Sequence, residues 1–212
     1  MTTVSFLLNL LIFILTVLAL YMMISGSAGD KVLSGKGLKA FRYFTVDSNV
    51  LMGLVALLYA LQLLPELRSS CDFQASRWVI LVKLTATSAV ALTMFTVLVF
   101  LGPTCKDGYL SMFKGGNFFF HLIIPLLGIL DFVFFVPKGQ LRFADTVYGL
   151  IPTLLYGAAY TVNVLKHAEN GRVSGKYDWY GFVRGGIKFT LPAILIVFAG
   201  SYLLTVLLWL CI

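Results

Sequence analysis

The chain has 212 residues, 59% of them hydrophobic and 12% charged, with mean hydropathy +0.94 and net charge +7. A soluble domain carries about 25% charged residues, so this composition excludes a globule covered by water and requires lipid over much of the surface. The basic residues sit in short gaps between apolar runs, where they read as topology signals facing anionic headgroups. With no basic stripe or recognition motif, the charge does not point to nucleic acid.

A helix needs about 20 apolar residues to cross a bilayer core. Runs of that kind cover Val4–Ile24, Phe41–Leu64, Trp78–Leu101, Phe118–Val136, Phe143–Leu165 and Ile187–Cys211. They predict an all-α, polytopic membrane helical bundle of about six transmembrane helices, with residues 1–212 forming one integral membrane domain. The gaps hold Gly, Pro, Asp and Asn, as breakers should. The first run is too long, and lacks the basic start, for a cleaved signal peptide; it reads as a retained span. Cys71, Cys105 and Cys211 make an odd count without metal-type spacing, so no disulfide framework and no zinc site is expected. No metal or other cofactor is implied.

Loops one, three and five with their flanks carry Lys31, Lys36, Lys39, Arg42, Lys106, Lys114, Lys166, Arg172, Lys176, Arg184 and Lys188. The other side carries Arg68, Arg77, Lys83, Lys138 and Arg142. That split of 11 against 5 out of 16 basic residues favours loops one, three and five in the cytoplasm, with both termini outside. In a bacterial cell the membrane would be the plasma membrane. Cys71 in loop two and Cys105 in loop three then lie on opposite faces and cannot bond within one chain.

Polar side chains inside a span are costly and are functional candidates by default. Thr45, Asp47, Ser48 and Asn49 fall in the first turns of span two, and Asn117 and His121 at the start of span four. Both spans start from the same side, so at about 1.5 Å per residue Thr45 and His121 reach one depth. A threonine hydroxyl becomes a nucleophile when a neighbouring imidazole takes its proton. A helix cap for Thr45, or a structural bond from a lone membrane histidine to a backbone carbonyl, is the plainer alternative. Asn117 shares a helix face with His121, as Ser48 and Asn49 do with Thr45. These residues are candidates for orienting substrate or an oxyanion, or for a structural polar cluster. Asp47 points elsewhere and reads as interfacial, with orienting the imidazole as the alternative, and His167 belongs to the fifth loop beside Glu169, where it reads as solvated.

Lys83 and Asp131 lie toward the opposite face and read as a structural ion pair, with snorkelling of Lys83 or a proton path as alternatives. Pro125 and Pro152 are expected to kink their helices. Phe118, Phe119 and Phe120, with Tyr156, Tyr160 and Asn163 from span five, suit either an interfacial belt or a cleft for an acyl chain.

The segment Phe44-Thr45-Val46-Asp47-Ser48-Asn49 resembles the Phe-Thr-x-x-Ser-Asn motif of bacterial six-span relatives of the androgen-induced and androgen-dependent TFPI-regulating membrane proteins. His121-Leu122-Ile123-Ile124-Pro125, leading to Asp131 and Pro137-Lys138-Gly139, resembles their second signature. The similarity runs from Phe41 to Phe182 in the same order. It implies a multi-pass membrane threonine hydrolase of fatty acid esters of hydroxy fatty acids, with Thr45 and His121 as the essential pair. The chain departs at Lys176-Tyr177-Asp178-Trp179-Tyr180-Gly181-Phe182, where animal members carry a Tyr-Pro-Tyr stretch; this loop is placed to cover the substrate entrance.

Two functional readings follow. The first is a hydrolase whose lipid ester substrate arrives sideways from the bilayer, with membrane lipids as its surroundings. The second is a non-catalytic transporter, channel or lipid-binding scaffold with a polar site between spans two, four and five. No inverted repeat or paired broken span favours a transporter. A retinal protein is rejected, because span six has no lysine beyond Lys188 at its mouth.

Overall fold

The computed structural model describes residues 1–26, 37–69, 75–169, 172–183 and 187–212. Cys71, Lys31, Lys36 and Arg184, which carried part of the topology argument, lie outside the described residues. Cys105 and Cys211 are free thiols. Among the described residues the fold is all-α apart from one antiparallel pair of two-residue strands, β1 (Ala168–Glu169) and β2 (Arg172–Val173).

Among the described residues, five helices are long and apolar enough to cross a membrane. Helix α1 (Thr2–Ser25) ends where Gly26 turns into the left-handed region at φ 71 and returns its N–H to the Met23 carbonyl. A 3-10 turn at Gly37–Arg42 leads into α2 (Phe44–Ser69). Helix α3 (Arg77–Thr104) and helix α4 (Gly116–Phe135) follow, and α6 (Ile187–Leu210) closes the chain.

Both α3 and α4 contain a π turn, at Val97–Leu101 and Phe119–Ile123. Each lies immediately ahead of a proline-bearing turn, before Pro103 and Pro125. A proline ring collides with the carbonyl four residues back, here Val99 and His121. The wider turn relieves that collision, with the Gly102 N–H bonded to Val97 O and the Ile124 N–H to Phe119 O.

The fifth apolar run is built differently from the expected single span. Phe143–Leu150 is a 3-10 segment, and the regular helix α5 covers only Ile151–Lys166, 16 residues. Pro152 sits in the first turn of α5, where its missing N–H costs nothing. It therefore starts a helix here rather than kinking one. Asp145 holds the 3-10 segment by accepting the Arg142 N–H at 2.7 Å, and Arg77 at the start of α3 binds both its oxygens at 2.7 and 2.9 Å.

Helix α3 is the most buried of the five long helices and packs against α2, α4 and α6. Helix α1 lies along α2 and also touches α4. Close approach is made by small residues, as in membrane bundles. A Cβ on Gly53 would meet Thr16 of α1 at 2.7 Å, and one on Gly149 would collide with Thr205 of α6. The inward face of α1 holds Ser5, Asn9 and Thr16, while Val4, Leu7, Leu11 and Ile14 point outward. That is the reverse of a soluble amphipathic helix, and it suits a helix bathed in lipid.

Those inward polar groups belong to a network. Lys83 of α3 and Asp131 of α4 form an ion pair, and both are fully buried. Ser5 donates to Asp131 at 2.8 Å, and Lys83 donates to the Asn9 side-chain carbonyl at 2.8 Å. Asn9 donates back to the Ser5 carbonyl at 2.7 Å. The Lys83 ammonium also lies 3.4 Å from the centre of the Tyr59 ring, a cation–π contact with α2. One charge pair thus ties four helices together. Lys83→Met or Asp131→Asn alone is expected to cost about 3–5 kcal/mol, and the apolar double change Lys83→Met with Asp131→Leu far less. Thermal unfolding in detergent micelles measures the difference.

Candidate polar site between helices α2 and α4

Thr45 lies in the first turn of α2 and is half-buried. Its backbone carbonyl is a focus for α2: Ser48 donates to it at 3.2 Å and Asn49 at 2.7 Å. Ser48 also shares a 2.9 Å hydrogen bond with Thr93 of α3. The Asn49 amide nitrogen makes a second bond, at 3.0 Å, to the Phe120 carbonyl in the π turn of α4. One side chain thus joins the turn holding Thr45 to the residue next to His121.

His121 is 1% exposed and sits within the π turn. Its Nδ1 lies 2.7 Å from the Met112 carbonyl. A carbonyl only accepts, so Nδ1 carries the ring proton and Nε2 holds the free lone pair. Met112 comes from a 3-10 turn at Tyr109–Phe113, bracketed by Gly108 and Gly115 at φ 85 and 58. Those positive-φ conformations, open to glycine, let the third loop fold back onto α4. Asn117, four residues before His121, is 1% exposed.

The structure brings Ser48 and Asn49 against the Thr45 turn, but it commits Tyr160 and Asn163 to the fifth loop. The Tyr160 hydroxyl donates to Asp178, and the Asn163 amide donates to the Tyr177 carbonyl at 2.8 Å. Asp178 is fully buried and also accepts the Val183 N–H at 3.2 Å. From this anchor, Tyr180 reaches the start of α2, where its hydroxyl accepts the Phe44 N–H at 2.9 Å. Trp179 donates to the Tyr156 hydroxyl at 3.0 Å. Burial pushes the Tyr180 phenol up to about 12, so it stays neutral throughout the physiological range. The fifth loop is therefore laid over the end of α2 that carries Thr45, through an aromatic cluster with Tyr43, Phe44, Tyr156 and Phe182.

His167 is exposed and stacks on Tyr177 with centroids 3.6 Å apart. Lys83 and Asp131 belong to the separate network that ties α1, α2, α3 and α4. Among the described residues, no three His, Cys, Asp or Glu side chains gather as a metal site.

Sequence reasoning passed over Ser5, Asn9, Thr93, the Met112 carbonyl and Asp178. Asn9 did carry a signal, being an amide in the middle of an apolar run. The Met112 carbonyl carried none, because a backbone atom becomes specific only when a loop folds.

The five long apolar helices among the described residues, around a buried polar core, define a multi-pass membrane helical protein. No family model, no curated protein and no solved structure matches the chain.

Asp178→Ala removes the acceptor for Tyr160 and Val183 and is expected to loosen the loop by about 1–3 kcal/mol. Hydrogen exchange should then quicken over residues 177–183 and leave α3 protected.

Proposed function

We propose that this protein is a six-span membrane hydrolase of lipid esters, with Thr45 as nucleophile and His121 as base. The carrying observation is the clamp on His121: Met112 holds its Nδ1, so Nε2 is the free base, while Asn49 joins the adjoining Phe120 carbonyl to the Thr45 turn. A nucleophile activated by a base that a third group orients is the general pattern of such sites. The motif resemblance supplies the substrate class, fatty acid esters of hydroxy fatty acids.

The six-span reading rests on the length of 143–166. At about 2.0 Å per residue in the 3-10 part and 1.5 Å in α5, the segment is about 40 Å long. That exceeds a hydrocarbon core of about 30 Å. Its exposed residues include Phe143, Val147, Ile151, Leu154, Leu155 and Val162, an apolar face suited to lipid.

In the first half of the reaction the Thr45 hydroxyl attacks the ester carbonyl, and its proton passes to His121 Nε2. Collapse of the tetrahedral intermediate breaks the bond to the alcohol oxygen, which takes that proton and leaves. Water then cleaves the acyl-threonine by the same path in reverse. A lipid substrate suits this depth, since its tails are already solvated by the bilayer.

A fluorophosphonate hydrolase probe applied to the purified protein in detergent tests the pair. Wild type should label, and Thr45→Ala and His121→Ala should each lower labelling by about a hundredfold or more with folding intact. A folded wild type that fails to label would turn the reading to a non-catalytic polar site. Reporter fusions at the two termini test the span count: six spans place both on one side of the membrane, and five place them on opposite sides.

A further inference from the structure

We infer that the amide oxygens of Asn49 and Asn117 form an acceptor subsite for a hydroxyl group, on the α2–α4 seam that carries Thr45 and His121. This rests on the hydrolase reading and deepens it.

Asn49 is fully buried, and its amide nitrogen already donates to the carbonyls of Thr45 and Phe120. Turning the amide over would set its oxygen against two carbonyl oxygens, so its orientation is determined. The oxygen therefore points away from both carbonyls and accepts from no described residue. Asn117 is 1% exposed, and its side-chain oxygen likewise accepts from no described residue.

Buried acceptors of this kind are rare, because each unmet one costs about 1–3 kcal/mol. Among the described residues, the other such atoms are the Arg42 Nε, a donor, and the Asp131 Oδ2, which faces the Lys83 charge. The two neutral acceptors thus belong to the start of α2 and the start of α4. One lies a turn beyond Thr45 and the other a turn before His121.

Their chemistry narrows what they hold. An oxyanion needs donors, and the Asn49 donors are spent on backbone. An ester carbonyl has no proton to offer these oxygens. A hydroxyl group does, and it has two sources in this reaction. One is the water that cleaves the acyl-threonine. It would give one proton to His121 Nε2 as its oxygen attacks the acyl carbon, and keep its other O–H bonded to an amide oxygen. Thr45 would then leave with the proton from His121 as the carboxylic acid forms. The other source is a free hydroxyl beside the ester in a lipid such as a monoacylglycerol; a fatty acid ester of a hydroxy fatty acid carries none there.

Asn117 is the residue to change, because Asn49 also holds two backbone segments together. Asn117→Leu keeps the shape and removes the acceptor, and Asn117→Asp restores one. Asn117→Ala serves the same comparison where the leucine disturbs folding. The substrates are a p-nitrophenyl ester, a 1-monoacylglycerol and the methyl ester of the same acyl chain.

If water is the ligand, Asn117→Leu still labels with the fluorophosphonate. It releases a burst of about one nitrophenol per chain and then turns over about tenfold more slowly, and Asn117→Asp recovers. If a lipid hydroxyl is the ligand, no burst occurs. Instead the wild-type selectivity for the glycerol ester over the methyl ester falls about tenfold in Asn117→Leu, and Asn117→Asp recovers it. A folded Asn117→Leu with neither a burst nor a change in selectivity overturns the subsite. A wild type that neither labels nor turns over any ester overturns the hydrolase reading, and the subsite with it.

Discussion

The Lys83–Asp131 ion pair has no water to fall back on, and the arrangement of the bundle follows from that. A charge in hydrocarbon must be answered inside the chain. Here the answer draws one helix after another inward: Ser5 and Asn9 from α1, Tyr59 from α2, Lys83 from α3 and Asp131 from α4. Apolar faces cannot orient helices in lipid, because lipid tails are as apolar as leucine. A polar network can, because it tolerates few rotations of each helix. It selects the register in which α2 and α4 lie together, and so serves the site without belonging to it.

The second constraint is proline. Pro125 cannot sit in an ordinary helix without striking the His121 carbonyl, and the π turn that accommodates it places His121 in a widened stretch of backbone. The adjacent Phe120 carbonyl is then taken by Asn49. Local strain and long-range contact are thus solved by one arrangement, in which Asn49 joins the Thr45 turn to the backbone beside the imidazole.

The fifth loop adds a cover. Its anchor is Asp178, a buried carboxylate held by Tyr160 and the Val183 N–H rather than by a cation among the described residues. The aromatic rings around it are broad surfaces that pack without exacting geometry. Among the described residues of the loop, the Tyr180 hydroxyl supplies the directional bond to the start of α2.

How much of this was legible in the sequence depended on the range of the interaction. Apolar runs near 20 residues are a local property, so the long helices could be read directly. Thr45, Asn49, Asn117, His121, Lys83 and Asp131 stood out because a polar group in such a run is costly wherever its helix lies. The division of 143–166 was harder to see, since hydropathy does not register that Pro152 begins a helix. What the sequence by itself determined is the membrane class and the short roster of polar residues, because both follow from the energy of moving single side chains into lipid. Only the tertiary structure decided their partners: Asn9 beside Lys83, the Met112 carbonyl on His121, and Tyr160 and Asn163 turned to the fifth loop. Hydrogen bonds depend on distance and direction between distant segments, and no local pattern carries that information.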